Sequence, residues 1–240
     1  MKKIFLLAVF IPMIGNAQLK DLLKKGQDKL SSITKTNSGI DIAAGLKEAL
    51  NKGVTDQVSK LTALDGFYKN EAVKIIMPAE LQKVDKTLRK LGMSKLADDG
   101  IKALNRAAED AVKESTPIFV SAVKNINFSD AKNILMGKEN AATAYLQNAT
   151  TKDLYTKFSP VVKQSIGKVG ADVIWSNIIT KYNAIPLVKK VNPDITDYVT
   201  NKALDGVFKM ITVEEKNIRT NLGSRTSNLL QQVFAMQDKK

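Results

Sequence analysis

The stretch "DITDYVTNKALDGVFKMITVEEKNIRT" (194–220) constrains the fold more than any other part of the chain. Its apolar residues recur at a helical period, not at the alternate positions a strand needs. With Val199 as origin and 100° per residue, Ala203, Leu204, Val207, Phe208, Ile211 and Ile218 fall in one stripe centred near about 100°. A stripe that wide has to be covered by other elements, so the chain needs further layers to pack against it. The same stripe holds Glu214 at about 60° and Glu215 at about 160°. A buried carboxylate requires a partner. Arg219 stands four residues after Glu215, the favourable order for a helical ion pair. Two readings stay open here: carboxylates buried and paired, or a stripe that ends by Glu214 with both side chains in water.

The rest of the chain supplies the partners. Asp41 is placed to cap a helix to Leu64, with Leu46, Leu50, Val54, Val58 and Leu61 on one face. A helix over about 79–91 is closed by Gly92, and another spans 98–125 with Pro117 expected to kink or split it. Ser129 is placed to cap a short helix ending at Gly137, and "KENAATAYLQN" reads as a further short one. A long helix starts at Thr150 or Thr151 and runs to about Tyr182, interrupted at Pro160. Pro193 suits the first turn of the 194–220 helix, and Leu229, Leu230, Val233 and Phe234 mark a last short one. Only "EAVKIIMP" (71–78) looks extended. The expectation is an all-α single domain of about eight helices, with at most a short extended or β element near 71–77.

The 98–115 region repeats the polar theme. Ile101, Leu104, Ala108, Ala111 and Val112 form its apolar face. Asn105 lies beside that face, Glu109 at its edge and Arg106 outside it, which a surface Arg106–Glu109 pair would account for. Only four of the 37 basic side chains are arginine, Arg89, Arg106, Arg219 and Arg225. A chain that defaults to lysine has reason to use arginine where a rigid, bidentate fork matters.

The N-terminus reads "MKKIFLLAVFIPMIGNAQ". Lys2 and Lys3 precede a short apolar run, and Gly15-Asn16-Ala17 fits a small-residue cleavage site. Residues 1–17 are therefore expected to be a signal peptide that sends the chain to the periplasm. Residues 18–40 form a basic amphipathic helix and linker, 41–236 the helical domain, and 237–240 a tail. In "LKDLLKKGQDKLSSI" the leucines share one face, and Lys20, Lys24, Lys25 and Lys29 occupy the rest of the circle. Such a segment either docks on the domain or makes peripheral contact with an anionic membrane surface.

What the composition lacks is also informative. The chain has no cysteine and no histidine. That removes disulfides, Ser-His-Asp triads, cysteine nucleophiles and zinc sites built from those ligands. No Walker A loop, GxGxxG or HExxH is present, and no cofactor or metal is expected. The formal net charge is +13, but the lysines are spread and the aromatics amount to 6%. A solvated lysine-rich surface explains that better than nucleic acid, which needs basic clusters and stacking platforms.

One heptapeptide nearly repeats, "ALDGFYK" at 63–69 and "ALDGVFK" at 203–209. The first copy ends a helix and the second lies within one. Glycine inside a helix costs about 1 kcal/mol against alanine, so Gly206 implies close packing there.

Five motifs in order carry a resemblance: "GFYKNEAVKIIMP", "NRAAEDAVKESTPIF", "DAKNILMGKENAATAYL", "YVTNKALDGVFKMITVEEKNIRTN" and "RTSNLLQQVF". Over roughly residues 41–236 the chain resembles the exported bacterial domain-of-unknown-function family 4197. The resemblance implies a helical exported protein and supplies no activity. It places the family's polar pattern on Asn105, Arg106, Glu109, Asp130, Thr143, Glu214, Glu215, Arg219 and Arg225. Where that family often has Asn-Pro, this chain has Asn221-Leu222.

The functional expectation is a non-enzymatic protein that binds a protein partner or ligand. Asn105, Arg106, Glu109, Glu214, Glu215, Arg219 and Arg225 are its candidate site. A carrier of an apolar ligand such as a lipid, and a carboxylate-dependent hydrolase acting on envelope material, are the alternatives.

Overall fold

The computed structural model describes residues 41–238, apart from 169, 185, 188, 189, 191 and 193. The signal segment, Lys20, Lys24, Lys25, Lys29 and Pro193 lie outside the described residues. Among the described residues there are nine α-helices, in order α1 (Ile42–Thr62), α2 (Gln82–Lys90), α3 (Ser94–Val112), α4 (Ser115–Lys124), α5 (Phe128–Leu135), α6 (Ala141–Gly167), α7 (Ala171–Asn183), α8 (Ile195–Thr220) and α9 (Asn228–Asp238). Short 3-10 turns precede α2 and follow α8. Among the described residues there is no strand, so the fold is all-α.

α8 packs against α1, α3 and α6, and α6 in turn against α3 and α4. Its Val199, Ala203, Leu204, Val207, Phe208, Ile211 and Ile218 are all buried, as the periodicity requires. Leu146, Leu154, Phe158, Val162 and Ile166 carry the buried face of α6. Phe119 of α4 meets Phe208 edge-on, with centroids 5.9 Å apart.

The two "ALDG" copies meet. Gly206 lies inside α8, and a Cβ built on it would stand 2.6 Å from the Phe67 ring. Phe67, from the first copy, is fully buried. Burying a Phe contributes about 1.5–3 kcal/mol, more than the roughly 1 kcal/mol that a helical glycine costs. The near-repeat is thus one half of a contact and its receptor.

Several boundaries differ from expectation. The 98–125 segment is two helices divided at Lys113–Glu114, and α3 begins at Ser94. Pro117 is the third residue of α4, where its missing N–H costs no helical bond. α5 is capped by Asn127, not Ser129: Asn127 Oδ1 accepts from Asp130 N at 2.8 Å, and Asp130 returns the bond in a capping box. α6 is continuous across Thr150, because Thr150 and Thr151 turn their hydroxyls back to the carbonyls of Leu146 and Gln147 instead of capping a new start. Pro160 stays within α6 on its exposed side, where solvent can serve the carbonyl it leaves free. The break comes near Gly170, in the left-handed region at φ 66°. α9 runs on to Asp238, into the expected tail.

Candidate functional site

Apart from Glu214, the candidate-site residues singled out in the sequence divide into two groups, one built on α8 and one on α3. No hydrogen bond or ion pair between described residues joins the groups.

The first is built on α8. Glu215 is buried, and its carboxylate takes the place a side-chain cap would take on α6. Oε1 accepts from Ala142 N at 2.9 Å, and Oε2 from Thr143 N at 2.8 Å and Thr143 Oγ1 at 2.7 Å. Asn140, the residue at the cap position itself, makes no side-chain bond there. A carboxylate at a helix N-terminus satisfies free N–H groups and the helix dipole together. One turn on, Arg219 donates Nε and Nη2 to Glu215 Oε1 at 3.0 and 2.8 Å. Its remaining N–H groups reach Ile134 O at 2.9 Å, Leu135 O at 3.0 Å and Gln237 Oε1 at 2.8 Å. Ile134 and Leu135 end α5, so the guanidinium meets the carbonyl end of one helix while its partner meets the amide end of the next. Together the pair pins the α5–α6 corner onto α8. All five donors of Arg219 are occupied, which satisfies the main condition for tolerating a buried ion pair.

Arg225 extends this group. It donates to Ile218 O at 3.0 Å and Arg219 O at 2.8 Å, closing the C-terminus of α8. The other side of its fork grips Asp238 at 2.5 and 2.9 Å. Phe234 stacks beneath the guanidinium at 5.7 Å. The Arg225 hydrogen bond holds the Asp238 carboxyl below the usual carboxylate range.

The second group is built on α3. Asn105 is fully buried and accepts from Ile75 N at 2.8 Å while donating to Ile75 O and Ile101 O, both at 2.8 Å. It thereby does for the extended segment what a neighbouring strand would do. Glu109 is buried as well; its Oε1 accepts from Phe67 N at 3.1 Å and Tyr68 N at 3.4 Å. Arg106 pairs with Glu109 and reaches Asp65 at 2.5 Å. Asp65 sits in the left-handed region at φ 68° and also holds Lys69 at 2.8 Å. Lys69 first, and Arg106 with it, keep the Asp65 carboxyl below its ordinary range. The Arg106–Glu109 pair, expected at the surface, instead anchors the loop that aims Phe67 at Gly206.

Glu214 joins neither group. It is half-buried beside Gly53 and accepts from Gln57 Nε2 at 2.8 Å. It does line a small cavity of about 20 Å³ with Glu215, Arg219 and apolar side chains including Leu50, Ile218 and Phe234. That volume holds about one water molecule. Among the described residues, no cluster of three or more His, Cys, Asp or Glu could hold a metal ion.

Sequence reasoning missed Asp65, Gln57, Gln237 and Asp238. Asp65 was readable as a turn residue, but nothing local in the sequence ties any of the four to partners as many as 157 residues away.

A family model described as "Protein of unknown function (DUF4197)" matches residues 36–235. No curated protein and no solved structure matches the chain.

Proposed function

Because the chain belongs to the DUF4197 family of unknown function, we propose, from its own residues, that it is an exported, non-enzymatic helical protein that binds a protein partner through its surface. The observation that carries this reading is the state of Glu215 and Arg219. Their hydrogen-bonding capacity is filled by backbone ends, by the Thr143 and Gln237 side chains and by each other, which leaves little for a substrate. A catalytic carboxylate needs a free face and a pKa matched to its task. The cavity beside Glu214, at about 20 Å³, is far below the roughly 300 Å³ at which ligand pockets begin, and the larger hollows, about 460 Å³ beside Ser176 and about 540 Å³ beside Tyr145, are open to the surface, which gives little support to an internally carried lipid. Export rests on the charged, apolar and small-residue order of residues 1–17.

The test has two arms. Produced with its leader, the chain should be recovered from the periplasmic extract with Gln18 as its first residue. A photo-crosslinking residue at exposed positions such as Lys124 or Lys157 should give a discrete protein adduct in the cell envelope. The same residue at buried Thr150 should give none. Unprocessed chain in the cytoplasm contradicts export. A Glu214→Gln or Glu215→Gln chain that stays folded yet loses a measurable turnover on cell-wall material contradicts the non-enzymatic reading.

A further inference from the structure

From Lys86 to Ala97 the chain reads "KTLRKLGMSKLA", with four basic residues and no acidic one. This stretch forms the end of α2, the turn and the start of α3. Gly92 reverses the chain at φ 79°, with nothing within 4 Å of where its Cβ would lie. The turn is open to solvent, with residues 90–96 all exposed. Leu91 is 70% exposed, Met93 44% and Leu96 54%. Single exposed apolar residues need no explanation, but three large ones in six residues at one turn do.

The charges around the turn are sorted. The flanking carboxylates are already engaged: Arg89 bonds Asp85 at 3.1 Å and Asp98 at 2.7 Å, and Lys95 bonds Asp99 at 2.7 Å. Lys86 and Lys90 are exposed, with no carboxylate partner among the described residues. An apolar turn inside a cationic collar matches a surface that is apolar within and anionic at its rim. An exposed turn of this kind suits a deformable layer. Lysine stems can lie along the apolar boundary while their ammonium groups stay at the phosphates.

We propose that the α2–α3 turn is a membrane-contact face, with Leu91, Met93 and Leu96 entering the boundary of an anionic phospholipid layer and Lys86 and Lys90 lying at its phosphates. In sequence this stretch is distinct from the basic segment around Lys24. Its biological use rests on the export proposed above, but the vesicle experiment reads the face itself, so the two can fail independently.

The chain has no cysteine, so Met93→Cys in the otherwise intact protein gives one labelling site for a polarity-sensitive dye. Vesicles of phosphatidylglycerol and phosphatidylethanolamine should shift its emission to the blue, and a nitroxide lipid in the same vesicles should quench it. Vesicles of phosphatidylcholine alone should do neither. A label at exposed Lys202→Cys should stay water-like throughout. Replacing Leu91→Ser together with Met93→Ser should weaken vesicle binding by at least about tenfold, since burying each such side chain is worth about one decade or more. Its circular dichroism and urea midpoint should stay unchanged, because both positions are exposed. The proposal is overturned by a water-like emission at position 93 while the chain sediments with anionic vesicles, which would put the contact elsewhere. It is equally overturned by no vesicle binding at all, or by a wild-type dimer that the serine variant splits.

Discussion

At the scale of single residues, Arg219 shows why this chain uses arginine so sparingly. Its five donors meet four acceptors on two other segments, α5 and α9, and on α8 itself. Lysine has the charge but only three donors on one point, so it cannot meet a carboxylate and two helix-end carbonyls in this plane. Arg219→Lys should therefore cost about 2–4 kcal/mol in urea unfolding, most of it from buried acceptors left unmatched. Asp238 makes a different prediction. Its folded pKa is depressed by Arg225, so the stability it contributes is present above the unfolded carboxylate value of about 4 and lost as pH falls through the lower folded value. Asp238→Asn should lower the urea midpoint at pH 6 and flatten its decline on the acid side of pH 4. A variant whose acid decline matches wild type would contradict the assignment. The Glu215–Arg219 pair was legible from its spacing alone. Its other partners were not, because the amides of Ala142 and Thr143 lie 73 and 72 residues away.

At the scale of elements, the extended segment at 71–77 and the loop before it owe their positions to α3. Asn105 takes both backbone groups of Ile75, so Asn105→Ala strands a buried donor and acceptor. The expected loss is about 2–4 kcal/mol, with faster amide exchange at 73–77 than in α6. Uniform exchange changes across the chain would instead mean that Asn105 has no local role. Gly206 tests the contact between the two "ALDG" copies. Gly206→Ala gains about 1 kcal/mol of helix propensity but forces its methyl to 2.6 Å from the Phe67 ring, and overpacking costs about 1–3 kcal/mol. Net destabilisation is expected, partly relieved by adding Phe67→Leu. If Gly206→Ala raises the melting temperature, the close approach is not limiting. Helix existence was readable from periodicity throughout. The errors came where a residue has two uses. Thr150 resembles a cap in sequence, yet inside α6 its hydroxyl bonds back to Leu146. Ser129 resembles a cap, yet Asn127 two residues earlier makes the capping box. Local propensity does not decide between such neighbours; the packing of the buried face does.

At the scale of the whole molecule, α8 is the axis, and both polar groups serve it. One fixes the α5–α6 corner and the chain's last helix to its C-terminal half, and the other fixes the loop whose Phe67 enters its middle. The all-α class and the family were legible in the sequence, because periodicity and ordered motifs are properties of the chain itself. The division of the candidate site into two was not, because Arg106 and Arg219 share a composition and a motif style but no partner. The central claim is that these buried charges hold the fold together instead of waiting for a ligand. A double-mutant cycle on Glu215→Ala and Arg219→Ala, read by equilibrium urea unfolding, tests it most directly. Each single change should cost about 3–5 kcal/mol, and the double change should cost at least about 2 kcal/mol less than their sum. Single variants that unfold at the wild-type urea concentration, with no coupling between them, would contradict the claim.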